Sequence, residues 1–211
     1  MVSKQPSCLH DFVPFAWAQR STWFAIAMLC LSQFNLAEAQ ARNPRWAAPM
    51  VLEGVHNFFQ ISPDLYRAAQ ITDEAVPLLA KAPFGIKTVV SLRYWHDDLR
   101  LLSPGALTFS GIHYDRISSN AGHPEEADVV RFLAVIATAP KPILIHCQHG
   151  ADRTGLMSAI YRIVVQGWTK KDAMDELLNG GYGANKVIGR FTQHFIDNLD
   201  VVAIKRKAGL H

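Results

Sequence analysis

The sequence predicts one α/β domain built on a central, mostly parallel sheet flanked by helices. Three observations predict it. Short apolar runs of strand length, rich in Val, Ile or Tyr, recur at Leu65 to Ala68, Thr88 to Leu92, His113 to Ile117 and Ile143 to His146. Helical patterns stand between and after them, with Val129, Phe132, Leu133 and Ile136 on one face and Ile188, Phe191, Phe195, Leu199 and Val202 on another. Strands that alternate with helices become parallel neighbours in a sheet. Finally, 211 residues with 49% apolar content can bury one substantial core, and no repeat, low-complexity tract or linker divides the chain.

Taken in order, the chain opens with a segment unlike the rest. Lys4 and Arg20 precede an apolar stretch from Trp23 to Leu31, and the small-residue signature Ala37-Glu38-Ala39 or Ala39-Gln40-Ala41 follows. That is the pattern of a secretory signal peptide over residues 1–41, and so short an apolar segment cannot cross a bilayer core of about 30 Å. An exported chain, periplasmic or secreted, is expected, with membrane attachment only if the leader is not cleaved. A polar, proline-bearing extension over 42–56 then leads into a domain over 57–211. Near its end, Thr169 and Asp172 form a capping-box-like start for a helix whose apolar face is Ala173, Met174, Leu177 and Leu178, closed by Gly180-Gly181.

Charge and cysteine usage narrow the chemistry. A net charge of +3 with dispersed Lys and Arg argues against a nucleic-acid partner. Cys8 and Cys30 lie in the leader, so Cys147 alone remains in the mature chain and no intramolecular disulfide is available to it. An unpaired thiol in an exported protein implies burial or a chemical role.

The informative stretch runs Ile143-Leu144-Ile145-His146-Cys147-Gln148-His149-Gly150-Ala151-Asp152-Arg153-Thr154-Gly155 and continues as an apolar helix through Leu156, Ile160, Ile163 and Val164. It reads strand, tight loop, helix. Unpaired N–H groups and the dipole at such a helix start favour an anion. The same groups, with the Arg153 guanidinium, favour a thiolate at Cys147 over a thiol, which makes Cys147 a candidate nucleophile. The spacing from Cys147 to Arg153 lets the loop from Gln148 through His149, Gly150, Ala151 and Asp152 curl around a tetrahedral dianion, with two of its oxygens on the guanidinium fork. Gly150 permits the backbone angles of a curled nest. The Thr154 hydroxyl is placed to donate to the sulfur as it departs.

His146 to Gly155 resembles the signature loop of the protein tyrosine phosphatase superfamily, His-Cys-x5-Arg-Thr-Gly. Leu65-Tyr66-Arg67-Ala68-Ala69-Gln70 and Gly85-Ile86-Lys87-Thr88-Val89-Val90-Ser91-Leu92-Arg93 look like the opening of compact bacterial and atypical dual-specificity phosphatases, so the resemblance covers Asn57 to Gly181. It implies a three-layer dual-specificity-phosphatase-like fold with the site at the carboxyl edge of the Ile143 to His146 strand. It also implies phosphate monoester hydrolysis through a phosphocysteine without metal or other cofactor. The expected partners are a phosphorylated protein or a small phosphorylated molecule such as a phosphoinositide or inositol phosphate, met by a monomeric chain.

Two carboxylates compete for the general acid. Asp115 lies 32 residues before Cys147, the expected interval, but inside the His113 to Ile117 strand, and the loop Ser118 to His123 that follows carries no carboxylate. Asp152 stands beside Arg153, and Gly-x-Asp-Arg-Thr resembles myotubularins and certain secreted bacterial phosphatases, in which this aspartate is implicated as the acid. Asp152 is preferred because it is fixed within reach of the phosphate, although a carboxylate in a first helical turn also complements the dipole. Glu125, Glu126, Asp97 and Asp98 are weaker candidates for the acid and read instead as solvated charge or helix-start residues. His146 and His149 straddle the nucleophile on a strand end and a loop, so His146 is read as ordering the loop and not as a metal ligand. Trp95 and Trp168 are candidates for the substrate mouth, against core packing. A rhodanese-like sulfurtransferase, disfavoured by the Thr-Gly after Arg153, and a non-catalytic phosphate-binding module are the alternatives.

Overall fold

The computed structural model describes residues 42–210. The leader reading, with Cys8 and Cys30, lies outside them. From Pro44 onward the chain forms one compact unit.

Six strands make one sheet: β1 (Ala48–Pro49), β2 (Phe59–Ser62), β3 (Leu65–Ala68), β4 (Thr88–Ser91), β5 (His113–Arg116) and β6 (Ile143–His146), ordered β1-β2-β3-β6-β4-β5. The pairs β3 with β6, β6 with β4 and β4 with β5 are parallel, whereas β1 and β2 add antiparallel strands at one edge. The four predicted strands therefore form the parallel part. β6 lies between β3 and β4, which aligns the carboxyl ends of all three at Ala68, His146 and Ser91.

Side chains of β6 alternate between two cores, as a strand buried on both faces requires. Ile143 and Ile145 join Val90 and Leu92 beneath α4 (Glu126–Thr138), α5 (Asp152–Val164) and α6 (Lys170–Asn179), against Phe132, Leu133, Leu156, Ile160 and Leu177. Leu144 joins Tyr66, Ala68 and Val89 beneath α1 (Ala75–Leu79) and α3 (Ala106–Phe109), against Val76, Leu79 and Leu107. The product is three layers with helices on both faces. The short α2 (Asp98–Leu101) lies between β4 and α3. The predicted face of α4 is buried throughout, and Thr169 caps α6 by accepting from the Asp172 N–H.

Three expectations differ from the structure. The residues read as an extension over 42–56 enter the fold: β1 pairs with β2, and the buried Ala47 donates its N–H to Glu176 Oε1 at 2.6 Å. The domain thus begins ahead of β1. The stripe from Ile188 to Val202 is broken into α7 (Lys186–Asp197) and α8 (Val201–Lys207), because Asp200 starts a new helix by capping Ala203 N. Phe191 and Val202 are 49% and 74% exposed, and α7 buries Gly189, Thr192 and Ile196 instead. A Cβ at Gly189 would stand 2.9 Å from Leu178 Cδ2, so close approach of α6 sets the phase of α7 at a residue that apolar periodicity does not count. On α6, Leu178 is half exposed and Glu176 is buried, bound through both oxygens by Arg162 at 2.7 and 2.9 Å.

Candidate active site

Cys147 follows the last residue of β6 and is 2% exposed. From it the loop climbs to α5, whose first turn holds Asp152, Arg153 and Thr154. Among the described residues, no N–H from Gln148 to Thr154 donates to a protein acceptor, so a run of donors is available to an anion at the helix start.

The loop carbonyls explain why those donors stay available. Gln148 O accepts from Gln70 N at 3.3 Å, His149 O from Asn57 Nδ2 at 2.8 Å and Gly150 O from Arg67 Nη2 at 2.7 Å, while His146 Nδ1 lies 3.4 Å from Cys147 O. Each carbonyl is held by the surrounding protein, and fixing a peptide plane by its oxygen also fixes the direction of the next N–H. Gly150 makes the curl possible. Its φ is +69°, and a Cβ there would lie 2.6 Å from Ala68 C and Ala69 N, so the loop presses on the end of β3.

Three of these outer residues come from the segment that opens the domain. Asn57, itself at φ +52°, also donates to Tyr182 O at 2.9 Å, tying the loop to the segment after α6. Arg67 is fully buried, and its guanidinium lies 3.6 Å from the centre of the Tyr182 ring. Burial draws its pKa down to about 10, against the opposing pull of Tyr182, Glu176 and Cys147, so it remains a cation at neutral pH. Gln70 donates through Nε2 to Asp98 Oδ1 at 3.2 Å and accepts from Arg93 Nη1 at 2.6 Å.

Behind Cys147, His146 Nε2 and Asp98 Oδ2 are 2.6 Å apart with both side chains completely buried. Burial pushes the Asp98 carboxyl up, but the bond and charge of His146, the bond from Gln70 and the charge of Arg93 together hold it below the ordinary value. Asp98 begins α2, as a helix-start reading expects, yet it is not solvated. The predicted loop-ordering residue His146 thus has a buried carboxylate partner. Asn57, Arg67 and Gln70 fall within the stretch of the resemblance but carry no local signal for these bonds, and Asp98 reads from the sequence as solvated charge or a helix start, not as the partner of His146.

On the outer side, Arg153 borders a cavity of about 430 Å³ whose other walls are Tyr94, Trp95, Ser119, Asn120, Ala121, Gly122 and Ile188. Trp95, 83% exposed, packs edge-on against Tyr94 at a centroid separation of 4.6 Å. Trp168 does not line this cavity and lies half-buried between Arg45 and Arg162. Thr154 Oγ1 is buried without a hydrogen-bond partner among the described residues, so no protein acceptor competes for its proton.

The two acid candidates occupy different settings. Asp152 Oδ1 accepts the Asn185 N–H at 2.8 Å, which ties the first turn of α5 to the start of α7, and its other oxygen has no protein partner among the described residues. Asp115 lies on the edge strand β5, two strands from β6, with Oδ1 bound by Arg131 Nη2 at 2.8 Å and by Arg116 N at 2.6 Å. None of its bonds reaches the loop. Asp97 caps α2 and accepts from the Tyr114 hydroxyl, and Glu125 and Glu126 begin α4. His149 is exposed on the loop, while His113 and His123 lie exposed on β5 and beyond it.

Comparison with known proteins agrees with this geometry. Residues 56–187 match the family model described as DSP-PTPase phosphatase fused to NAD+ kinase. The dual specificity protein phosphatase TpbA of Pseudomonas aeruginosa is 36% identical over 177 residues, which span 81% of this chain and 75% of the relative. The crystal structure of a Cys→Ser variant of P. aeruginosa TpbA in complex with pTyr superposes with a TM-score of 0.67 at 32% identity, covering 80% of this chain and 99% of that one. The catalytic core of the PP-IP phosphatase SIW14 from S. cerevisiae, at 22% identity and a TM-score of 0.62 over 75% of this chain and 94% of that one, shares the fold. Neither the sulfurtransferase nor the non-catalytic alternative is favoured by these relatives. The chain therefore belongs to the dual-specificity phosphatases of the protein tyrosine phosphatase superfamily and is a metal-independent, cysteine-based phosphatase.

Proposed function

We propose that the protein is an exported phosphatase for aryl phosphate monoesters, a phosphotyrosyl side chain above all, with Cys147 as nucleophile. The observation that carries the substrate class is the cavity beside Arg153. Apart from Arg153 itself, its walls are aromatic, aliphatic or neutral polar, which suits an uncharged ring attached to one phosphate better than a polyphosphate whose remaining charges would need partners. The TpbA complex with pTyr, from a relative at 32% identity, supports the same class.

In this reading the dianion seats on the loop amides from Gln148 to Arg153 and on the Arg153 fork. The Cys147 thiolate attacks phosphorus, the P–O bond to the phenol breaks, and Asp152 gives its proton to the departing oxygen. Water then attacks the phosphocysteine and returns a proton to the Asp152 carboxylate, the P–S bond breaks with the sulfur leaving as a thiolate to which the Thr154 hydroxyl donates, and inorganic phosphate is released. Asp152 is favoured over Asp115 because it adjoins Arg153 in the loop, whereas Asp115 lies on the edge strand two strands from β6 and is paired with Arg131.

The test is kcat/KM for a phosphotyrosyl peptide, a phosphoseryl peptide and inositol hexakisphosphate, with Cys147→Ser as control. The phosphotyrosyl peptide is expected to lead by at least about tenfold, and Trp95→Ala to lower that lead. A preference for the polyphosphate overturns the substrate class, and turnover surviving in Cys147→Ser overturns the nucleophile. Export rests on the leader pattern over residues 1–41. A reporter active only outside the cytoplasm, fused to the C-terminus, should be active with the leader and silent without it, and a cytoplasmic full-length fusion would refute export.

A further inference from the structure

The first turn of α7 separates two cavities. Ile188 lines the one beside Arg153, whereas Lys186, Gly189 and Arg190 line another, also of about 430 Å³, between α7 and the end of α6. At 3.6 residues per turn, Lys186 and Arg190 each stand about 160° round the helix from Ile188, so the two cavities open on opposite sides of α7. Val187 and Phe191, 59% and 49% exposed and one turn apart, form the solvent-facing ridge between them.

The second cavity is apolar at its base and cationic at its rim. Leu178, 44% exposed, and Ala184 supply apolar wall, and no carboxylate among the described residues lines it. Lys186 and Arg190 are exposed, and neither side chain has an ion-pair or hydrogen-bond partner among the described residues. The carboxylates of the adjoining turns face amides instead: Asp175 accepts from Asn179 Nδ2 and Asp197 from Gln193 Nε2, each at 2.7 Å.

We propose that this groove is a second recognition site, which takes an acidic side chain of a phosphotyrosyl protein while the phosphorylated ring occupies the cavity beside Arg153. The proposal rests on the phosphotyrosyl reading of that cavity and adds the sequence around the phosphorylated residue. Two uncompensated cations favour a carboxylate, which the Arg190 fork can bind through both oxygens, and disfavour a basic residue at the same place. The helix sets the spacing. With side chains it is about 10 Å across, so half its circumference is about 16 Å, which an extended peptide at about 3.3 Å per residue crosses in about four or five residues. Val187 and Phe191 give the intervening side chains an apolar ridge to lie on.

Steady-state kinetics on the full mature chain test this with neutral phosphotyrosyl peptides that carry a single glutamate, moved stepwise along either side of the phosphotyrosine. With the glutamate about four or five residues away on one side, kcat/KM should rise about tenfold through KM, the worth of two exposed ion pairs, and lysine at that position should abolish the gain. Lys186→Glu combined with Arg190→Glu should remove the gain yet leave p-nitrophenyl phosphate, too small to reach the groove, within about twofold of wild type. A gain that ignores position, or that survives the charge reversal, overturns the proposal. Binding to phosphatidylglycerol vesicles that the reversal abolishes, beside a flat peptide series, would overturn it in favour of a lipid surface. Equal turnover of all the peptides refutes the groove alone, whereas turnover of none of them refutes the reading of the cavity as well.

Discussion

Gly150→Ala tests whether contact with β3 sets the shape of the anion-binding loop. The new Cβ would stand 2.6 Å from Ala68 C and Ala69 N and 2.7 Å from Ala68 O, all main-chain atoms that no rotamer change can move aside. Ordinary carbon contacts begin at about 3.5 Å, so the loop must retreat by about 1 Å. Alanine at a φ of +69° adds about 1–2 kcal/mol of backbone strain, and overpacking against β3 adds about 1–3 kcal/mol. A retreat of that size stretches the 2.7 Å bond from Arg67 to Gly150 O beyond hydrogen-bond range and frees the neighbouring peptide to rotate. The expected destabilisation of about 2–5 kcal/mol corresponds to a fall in Tm of roughly 5–15 °C for a domain of this size. Misplacing loop donors by about 1 Å should lower kcat/KM on an aryl phosphate about 10²-fold, with most of the loss in kcat. Circular dichroism melting and steady-state kinetics below the variant's Tm are the assays. A variant with unchanged Tm and kcat/KM within about threefold of wild type would mean that the loop is not pinned at this point.

Asp152→Ala should lower kcat about 10²-fold on alkyl phosphates and far less on p-nitrophenyl phosphate, because only the poor leaving group needs a proton; equal losses on both would leave Asp152 a structural tie to Asn185. Asp115→Asn should leave kcat within a fewfold and act only on stability through Arg131, and a leaving-group-dependent loss in this variant would move the acid role to β5. Glu176→Gln leaves the Arg162 guanidinium buried without its carboxylate and should cost about 3–5 kcal/mol by denaturant unfolding; a loss under 1 kcal/mol would show that the pair is dispensable. The depressed Asp98 carboxyl contributes stability that is complete above its ordinary value of 3.8 and is lost as pH falls through the lower folded value. Between pH 5 and pH 2.5 wild type should therefore lose more stability than Asp98→Asn, and parallel acid profiles would refute that linkage.

The parallel strands were legible because each is a short, continuous apolar run, and the strand–loop–helix around Cys147 was legible because an anion nest needs a particular order of residues. What the sequence hid is the outside of the nest. Arg67 sits in a strand of which every residue is buried, and nothing local says that its guanidinium turns to Gly150 O, 83 residues away. Asp98 follows the cap Asp97 and opens a four-residue helix, which reads as a solvated helix start, and only the parallel register of β4 with β6 brings it against His146. The misread stripe on α7 and α8 has the same origin. Apolar periodicity weighs large side chains, whereas Gly189 and Thr192 set which face is buried.

The weakest part of the site as a sequence motif is also the part that restricts its chemistry. Opposite Arg153 the loop Ser118 to His123 contributes Ser119, Asn120, Ala121 and Gly122 to the cavity wall and is folded on itself, with Asn120 Oδ1 accepting Gly122 N at 3.0 Å and Asn120 O accepting His123 N at 3.2 Å. A loop of this composition can shape a binding surface but has no carboxylic acid to offer a leaving oxygen. In the proposed mechanism proton supply falls to Asp152, whose other oxygen already anchors Asn185. Such an arrangement tolerates a phenol, which departs with a pKa near 10, far better than an alkyl alcohol, which departs several units higher and needs its proton earlier. The uncharged cavity wall and the sparse proton supply are separate features, one steric and one chemical. Both favour an aromatic ester with a single phosphate.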